Sequence, residues 1–150
     1  MRTILALITG LFLMAAGCDR GSDSTVQPVS IETIAGKYRL AEPASKFEVT
    51  LEISPDSAGT EVKNAVAYRI GGRSSVNHYF GALTGSKTSD QVTISAIGST
   101  KMAGPADAMQ FEFDYFEKLR AVKRFEMAGN RLRLIAEGEK PGILTFEKTN

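Results

Sequence analysis

Between Phe47 and Ser54 the chain alternates without a break. Phe47, Val49, Leu51 and Ile53 are apolar, and Glu48, Thr50, Glu52 and Ser54 between them are polar. A period of two fits a strand with one dry and one wet face, and antiparallel sheets offer such a face. The pattern recurs. Gly36–Leu40 is a short candidate strand, and Val62, Val66, Tyr68 and Ile70 mark another that ends at Gly71–Gly72. Asn77–Leu83 carries Tyr79 and Phe80, and Val92, Ile94 and Ala96 alternate with Thr93, Ser95 and Ile97. Pro55–Gly59 reads as a turn cluster, and Gly85–Asp90 as a polar loop. Near the end, Gly129–Asn130 joins Val122–Ala128 to Arg131–Ala136, a two-residue hairpin signal, and Ile143–Lys148 is the last strand. These segments predict a mainly β domain of seven or eight antiparallel strands, a rolled sheet or small barrel.

One segment breaks the pattern. Met109, Phe113, Phe116, Leu119 and Arg120 share a helical face, and Gly104–Pro105 suits a helix start. Asp107 and Glu112 lie toward the start, and Lys118, Arg120 and Lys123 toward the end, which complements the helix dipole. A single inserted helix is predicted from Pro105 to Arg120, with Glu112, Asp114 and Glu117 on its exposed face.

The N-terminus has a different character. Arg2 is followed by an apolar run from Ile4 to Met14, then by Ala15-Ala16-Gly17-Cys18. The run is too short for a membrane-spanning helix and has the form of a secretory signal. The small residues before Cys18 resemble the lipobox of bacterial lipoproteins. That resemblance implies cleavage after residue 17 and acylation of Cys18, the one cysteine of the chain. Asp19 resembles an inner-membrane retention signal. Residues 1–17 hold one charged residue, Arg2, so their removal leaves 133 residues with 17 basic and 17 acidic side chains. Such a balance gives no electrostatic footprint for nucleic acid. Residues 18–30 are mostly small and polar, with Ser and Asp recurring and few apolar side chains, and read as a tether. Residues 31–150 read as one domain that must rely on a hydrophobic core, since no second cysteine exists for a disulfide.

Catalytic and metal signatures are sparse. Gly98-Ser99-Thr100-Lys101-Met102-Ala103-Gly104-Pro105 has the residue types of a phosphate loop. Its second glycine follows the lysine instead of preceding it, so the spacing is wrong. It reads as a turn using Gly98, Gly104 and Pro105 for their backbone properties. His78 is the sole histidine, which leaves the usual zinc ligand sets unfilled. Nothing sets Ser74 or Ser75 apart from ordinary loop serines beside a Ser-His-Asp arrangement. No enzyme activity, cofactor or metal is expected.

The segment Ser99–Gly104, "STKMAG", resembles the signature of the META domain family (HslJ-like), which includes many bacterial lipoproteins. Ile34–Leu40 resembles the family's opening motif, with Tyr38 in place of Trp. Asn77-His78-Tyr79-Phe80-Gly81 resembles its central Asn-x-Tyr-x-Gly. The spacings Phe116, Leu119, Val122, Phe125 and Gly129, Asn130, Leu132, Leu134 resemble its helix and hairpin, and Leu144-x-Phe146 its ending. The resemblance implies a mainly antiparallel, barrel-like domain with one helix, and no established catalytic residues. Many members of that family carry cysteines where this chain has Val76 and Gly104.

The expected function is a lipid-anchored, periplasm-facing, non-enzymatic domain, held to the membrane through acyl chains on Cys18. It would act in envelope stress response or maintenance through contacts with an envelope protein. A small apolar ligand in a lipocalin-like barrel or groove is the alternative. Phe111, Tyr115, Phe116 and Phe125 are the candidate patch for either partner, because one helix cannot turn all of its rings toward one core.

Overall fold

The computed structural model describes residues 30–57 and 64–149. Cys18, Asp19, the signal-like segment and most of the tether lie outside the described residues. A short 3-10 turn, Ile31–Ile34, leads into eight strands: β1 (Gly36–Glu42), β2 (Thr50–Pro55), β3 (Ala65–Ser74), β4 (Asn77–Ser86), β5 (Val92–Ser99), β6 (Val122–Ala128), β7 (Arg131–Ala136) and β8 (Gly142–Thr149). One helix, α1 (Ala106–Arg120), stands between β5 and β6. The strands form one antiparallel sheet in the order β5-β4-β3-β2-β1-β8-β7-β6. The mainly β, rolled-sheet architecture with one helix is therefore as the alternation predicts.

The sheet curls until its two edges meet at one point. Gln91 bridges Arg124, and the Phe125 amide donates to Asp90 O at 2.9 Å. The inward residues of every strand and one face of α1 build a single core. Tyr38, Leu51, Ile53, Leu83, Leu132, Leu134, Phe125 and Phe146 are buried in it. At about 25 cal/mol per Å² of apolar surface, such side chains contribute roughly 1.5–3 kcal/mol each. The glycine of the β6–β7 turn, Gly129, has φ 61°, as the hairpin signal requires.

Four details differ from the sequence expectations. The ladder of β2 begins at Thr50, not Phe47. Val49 makes an isolated bridge to Ser74, and the Phe47 ring leaves the strand to pack on Phe111. β3 runs through Gly71–Gly72 to Ser74 instead of ending there. A Cβ on Gly72 would lie 2.0 Å from Thr50 O, so glycine serves a close strand approach and not a turn. In β5 a bulge sets Ala96 and Ile97 opposite Gly81. Ala96 takes φ 53° and is exposed, while Ile97 packs on the core, the reverse of the simple alternation.

The fourth difference is the phase of α1. Its buried residues are Ala108, Glu112, Tyr115, Phe116 and Leu119. Met109 and Phe113, predicted inward, are 36% and 55% exposed. The true face carries a small residue and a carboxylate, so apolar periodicity alone lands about a fifth of a turn away.

Candidate functional site

The motif residues converge where the β3–β4 turn, the segment after β5 and the first half of α1 meet. The turn is two residues long, Ser75–Val76, between the paired Ser74 and Asn77. Ser75 has φ 78°, a conformation that usually selects glycine at the first position of such a turn. Its neighbours hold it there. Its amide donates to Glu48 O at 2.9 Å, its carbonyl accepts from Arg73 Nε at 2.9 Å, and its hydroxyl donates to Ala108 O at 3.3 Å. Ser74 and Ser75 are both buried, which corrects the reading of them as ordinary loop serines.

Asn77 is the hub. Its Oδ1 accepts from Thr100 Oγ1 at 2.7 Å and from the Met102 amide at 2.8 Å. Its Nδ2 donates to Met102 O at 3.3 Å and Glu112 Oε1 at 2.8 Å. All four hydrogen-bonding positions of the side-chain amide are used, and two of them pair with Met102 as a neighbouring strand would. Reversing the amide would set Nδ2 against the Met102 N–H, so the network fixes its orientation. Glu112 completes the cluster. Its Oε2 accepts from the Ser74 hydroxyl at 2.9 Å and the Asn77 amide at 3.0 Å. Glu112 is 5% exposed, which corrects its assignment to the outer face of the helix. Three donors offset the cost of its burial.

The opening glycines of this segment serve space, not turning. A Cβ on Gly98 would lie 2.6 Å from the Phe80 ring, and one on Gly104 would lie 2.5 Å from a Val76 methyl. Neither glycine takes a positive φ. Val76 and Gly104 are thus in direct contact. His78 is exposed, and its amide donates to Thr100 Oγ1 at 3.1 Å.

Beside the hub lies an aromatic cluster. Tyr115 stacks on Phe111, Phe111 meets Phe47, and Tyr79 meets Tyr115 and Phe116 edge-on, with centroids 5.2–6.5 Å apart. The Tyr79 hydroxyl lies 2.9 Å from Thr50 O and 2.8 Å from the Tyr115 hydroxyl. A carbonyl can only accept, so Tyr79 donates to Thr50 and Tyr115 donates to Tyr79. Burial pushes both phenols up, that of Tyr115 well above the usual tyrosine range.

The structure divides the four patch residues. Phe116 and Phe125 are core residues at 7% and 1% exposure. Phe111 and Tyr115 line a groove of about 240 Å³ with Leu40, Pro43 and Leu144, and Asp114 and Lys118 add charged side chains to its lining. Sequence reasoning missed Glu112, Ser74 and Ser75. The one pointer to them was their closeness to Asn77 and the 99–104 motif. Among the described residues, no group of three or more His, Cys, Asp or Glu gathers to hold a metal.

No curated protein is significantly similar to the chain. A solved structure, the NMR structure of a protein from Burkholderia xenovorans, shares the fold. It is 20% identical, with a TM-score of 0.56, and the match covers 79% of this chain and 86% of that one. The hub joins Asn77 of the central motif to the Ser99–Gly104 signature, and the META domain model matches residues 30–149, so the chain belongs to the META domain family.

Proposed function

We propose that this META domain works as a lipid-anchored, periplasm-facing, non-enzymatic module in envelope stress response or maintenance, acting through protein contacts. The supporting observation is how the motif residues are used. Asn77 spends its whole side chain on Thr100, Met102 and Glu112, and Glu112 receives three donors. A polar cluster so occupied rigidifies a scaffold and offers no free group to a substrate. The acyl chains on Cys18 supply the anchor. No described helix is long and apolar enough to cross a membrane. Metabolic labelling with a palmitate analogue tests the anchor. Label on the wild-type chain in the membrane fraction, lost together with membrane association in Cys18→Ala, supports it. A wild-type chain without acyl groups would sink it.

The groove beside α1 favours a second reading, a binder of a small apolar ligand. Leu51, Ile94 and Leu134 fill the inside of the sheet, so the ligand would sit in the groove lined by Phe111 and Tyr115 rather than in a barrel. Native mass spectrometry of the purified protein discriminates. A co-purifying apolar mass lost in Phe111→Ala supports this reading, and a clean apo mass removes it.

A further inference from the structure

The flank of α1 away from the groove has no protein cover at its centre. Met109, Phe113, Phe116 and Arg120 follow one another at three- and four-residue spacing, which sets them on one side of the helix. Phe116 is buried at the inner margin, but Met109 is 36% and Phe113 55% exposed. The guanidinium of Arg120 lies over the Phe116 ring at 5.8 Å and pairs with no carboxylate among the described residues. Lys101, beside the exposed Met102, and Lys123, three residues past Arg120, are exposed and have no carboxylate partner there either. Of the acids on the helix, Glu117 pairs with Lys140, Asp107 with Lys46 and Glu112 sits in the hub, while the exposed Asp114 accepts from Gln110 and lies on the opposite side with Phe111 and Lys118. The flank is therefore apolar at its centre and carries the unpaired Arg120 toward its C-terminal end, with the exposed Lys101 and Lys123 in the segments that lead into and out of the helix. That combination fits the surface of an anionic bilayer, into which Phe and Met side chains sink while Lys and Arg meet the headgroups.

The start of the domain lies at the matching place. The Ile31 side chain sits over Gly85, where a Cβ would meet Ile31, Val92 and the Gln91 carbonyl, and Gln91 bridges Arg124 just beyond the end of α1. The domain thus begins at the end where the helix stops. The twelve residues between Cys18 and Ile31 span at most about 42 Å at roughly 3.5 Å each. That length lets the helix, about 22 Å long at 1.5 Å per residue, lie along the bilayer that holds the anchor.

We infer that the Met109–Phe113–Arg120 flank of α1 docks on the anionic membrane surface, so that the anchored domain is held in one orientation. This inference rests on the reading of Cys18 as the lipid anchor. The chain contains no Trp, so Phe113→Trp introduces a single reporter, and Phe80→Trp, on the outer face of β4 and 66% exposed as Phe, serves as its control. The acylated full chain is reconstituted on vesicles of phosphatidylethanolamine and phosphatidylglycerol with brominated acyl chains. The expected result is that Phe113→Trp shifts to the blue and loses most of its emission to bromine, while Phe80→Trp does neither. Both variants on the vesicles with Phe113→Trp unquenched would overturn the docking and leave the anchor standing, pointing to a protein on that flank. Equal quenching at both positions would also overturn it, since no orientation is then fixed. A chain that fails to sediment with vesicles removes the anchor, and the docking with it.

Discussion

The hub and the seam each tie together segments distant in the chain, and they do so by opposite means. At the hub, Asn77 and Glu112 tie the β3–β4 turn to the segment after β5 and to α1, away from water. At the seam, Arg124 ties β6 to the loop before β5 and to the β7–β8 turn, in water. It contacts Asp90 at 3.5 Å and Glu137 at 3.0 Å, with side chains 42–50% exposed. Both are polar staples in a core-driven fold. A buried polar group left without its partner costs about 1–3 kcal/mol, whereas an exposed ion pair is worth roughly 0–1 kcal/mol. The hub must therefore be complete to be tolerable, and the seam need not be.

Asn77→Ala gives the largest expected loss. It strands Glu112 Oε1 and removes both pairings with Met102, so we expect roughly 3–5 kcal/mol of destabilisation by urea unfolding, about one to three for each buried group left unpaired. Glu112→Gln keeps the shape and sharpens the comparison. One of its oxygens becomes a donor facing a donor, either Asn77 Nδ2 or the pair formed by Ser74 and the Asn77 amide. A loss of about 1–3 kcal/mol is expected. A loss in either variant no larger than that of Arg124→Ala would show that burial does not set the difference.

A covalent staple tests the same joint in the stabilising direction. Family resemblance places cysteines at positions 76 and 104, and here a Cβ on Gly104 would stand 3.4 Å from the Val76 Cβ. Disulfides hold their Cβ atoms about 3.5–4.5 Å apart, so a small backbone adjustment suffices. The double variant Val76→Cys, Gly104→Cys should lose both new thiols on oxidation and gain about 2–4 kcal/mol that reductant abolishes. Two persistent free thiols would refute the geometry of the contact.

The tyrosines extend the contrast to pH. Burial raises Tyr38, Tyr68, Tyr79 and Tyr115, the four tyrosines of the chain, above the ordinary value. A raised phenol is neutral in the fold, so its share of stability is complete below the unfolded value near 10 and is lost as pH rises above it. Absorbance at 295 nm should therefore show no independent tyrosine titration near pH 10. Ionisation should coincide with loss of far-ultraviolet β signal at higher pH. The Arg124 pairs should be indifferent to this range, because neighbouring carboxylates raise the arginine further.

The strands were legible because alternation reports which face is dry, and it does so locally. Val49, Leu51 and Ile53 point inward as their spacing says. The bulge at Ala96 was not legible, because nothing in Ser95-Ala96-Ile97 marks the residue that leaves the ladder. The hub was half legible. Asn77 and the 99–104 segment stood out as motifs, but their purpose lies in pairings 23–38 residues apart in sequence. Glu112 is the hardest case. A carboxylate on a helix counts as polar in any periodicity, and only its distant donors make its burial affordable. The apolar Met109 and Phe113 then draw the inferred inner face toward themselves, although they lie at its edge.

Arg124→Ala is the smallest effect and the strictest test of the seam. Removing the guanidinium leaves Asp90 and Glu137 in solvent, where water replaces it. The joint keeps the Phe125 amide bond to Asp90 O and the buried Phe125 and Val122 side chains behind it. We expect under about 1 kcal/mol, with less difference from wild type at 0.5 M salt, where the Debye length falls to roughly 4 Å and exposed charges scarcely interact. A loss of several kcal/mol, insensitive to salt, would mean that the seam is a closing contact of the barrel as buried in its energetics as the hub. The sheet would then owe its curl to Arg124 as much as to the apolar side chains that α1 and the strands enclose.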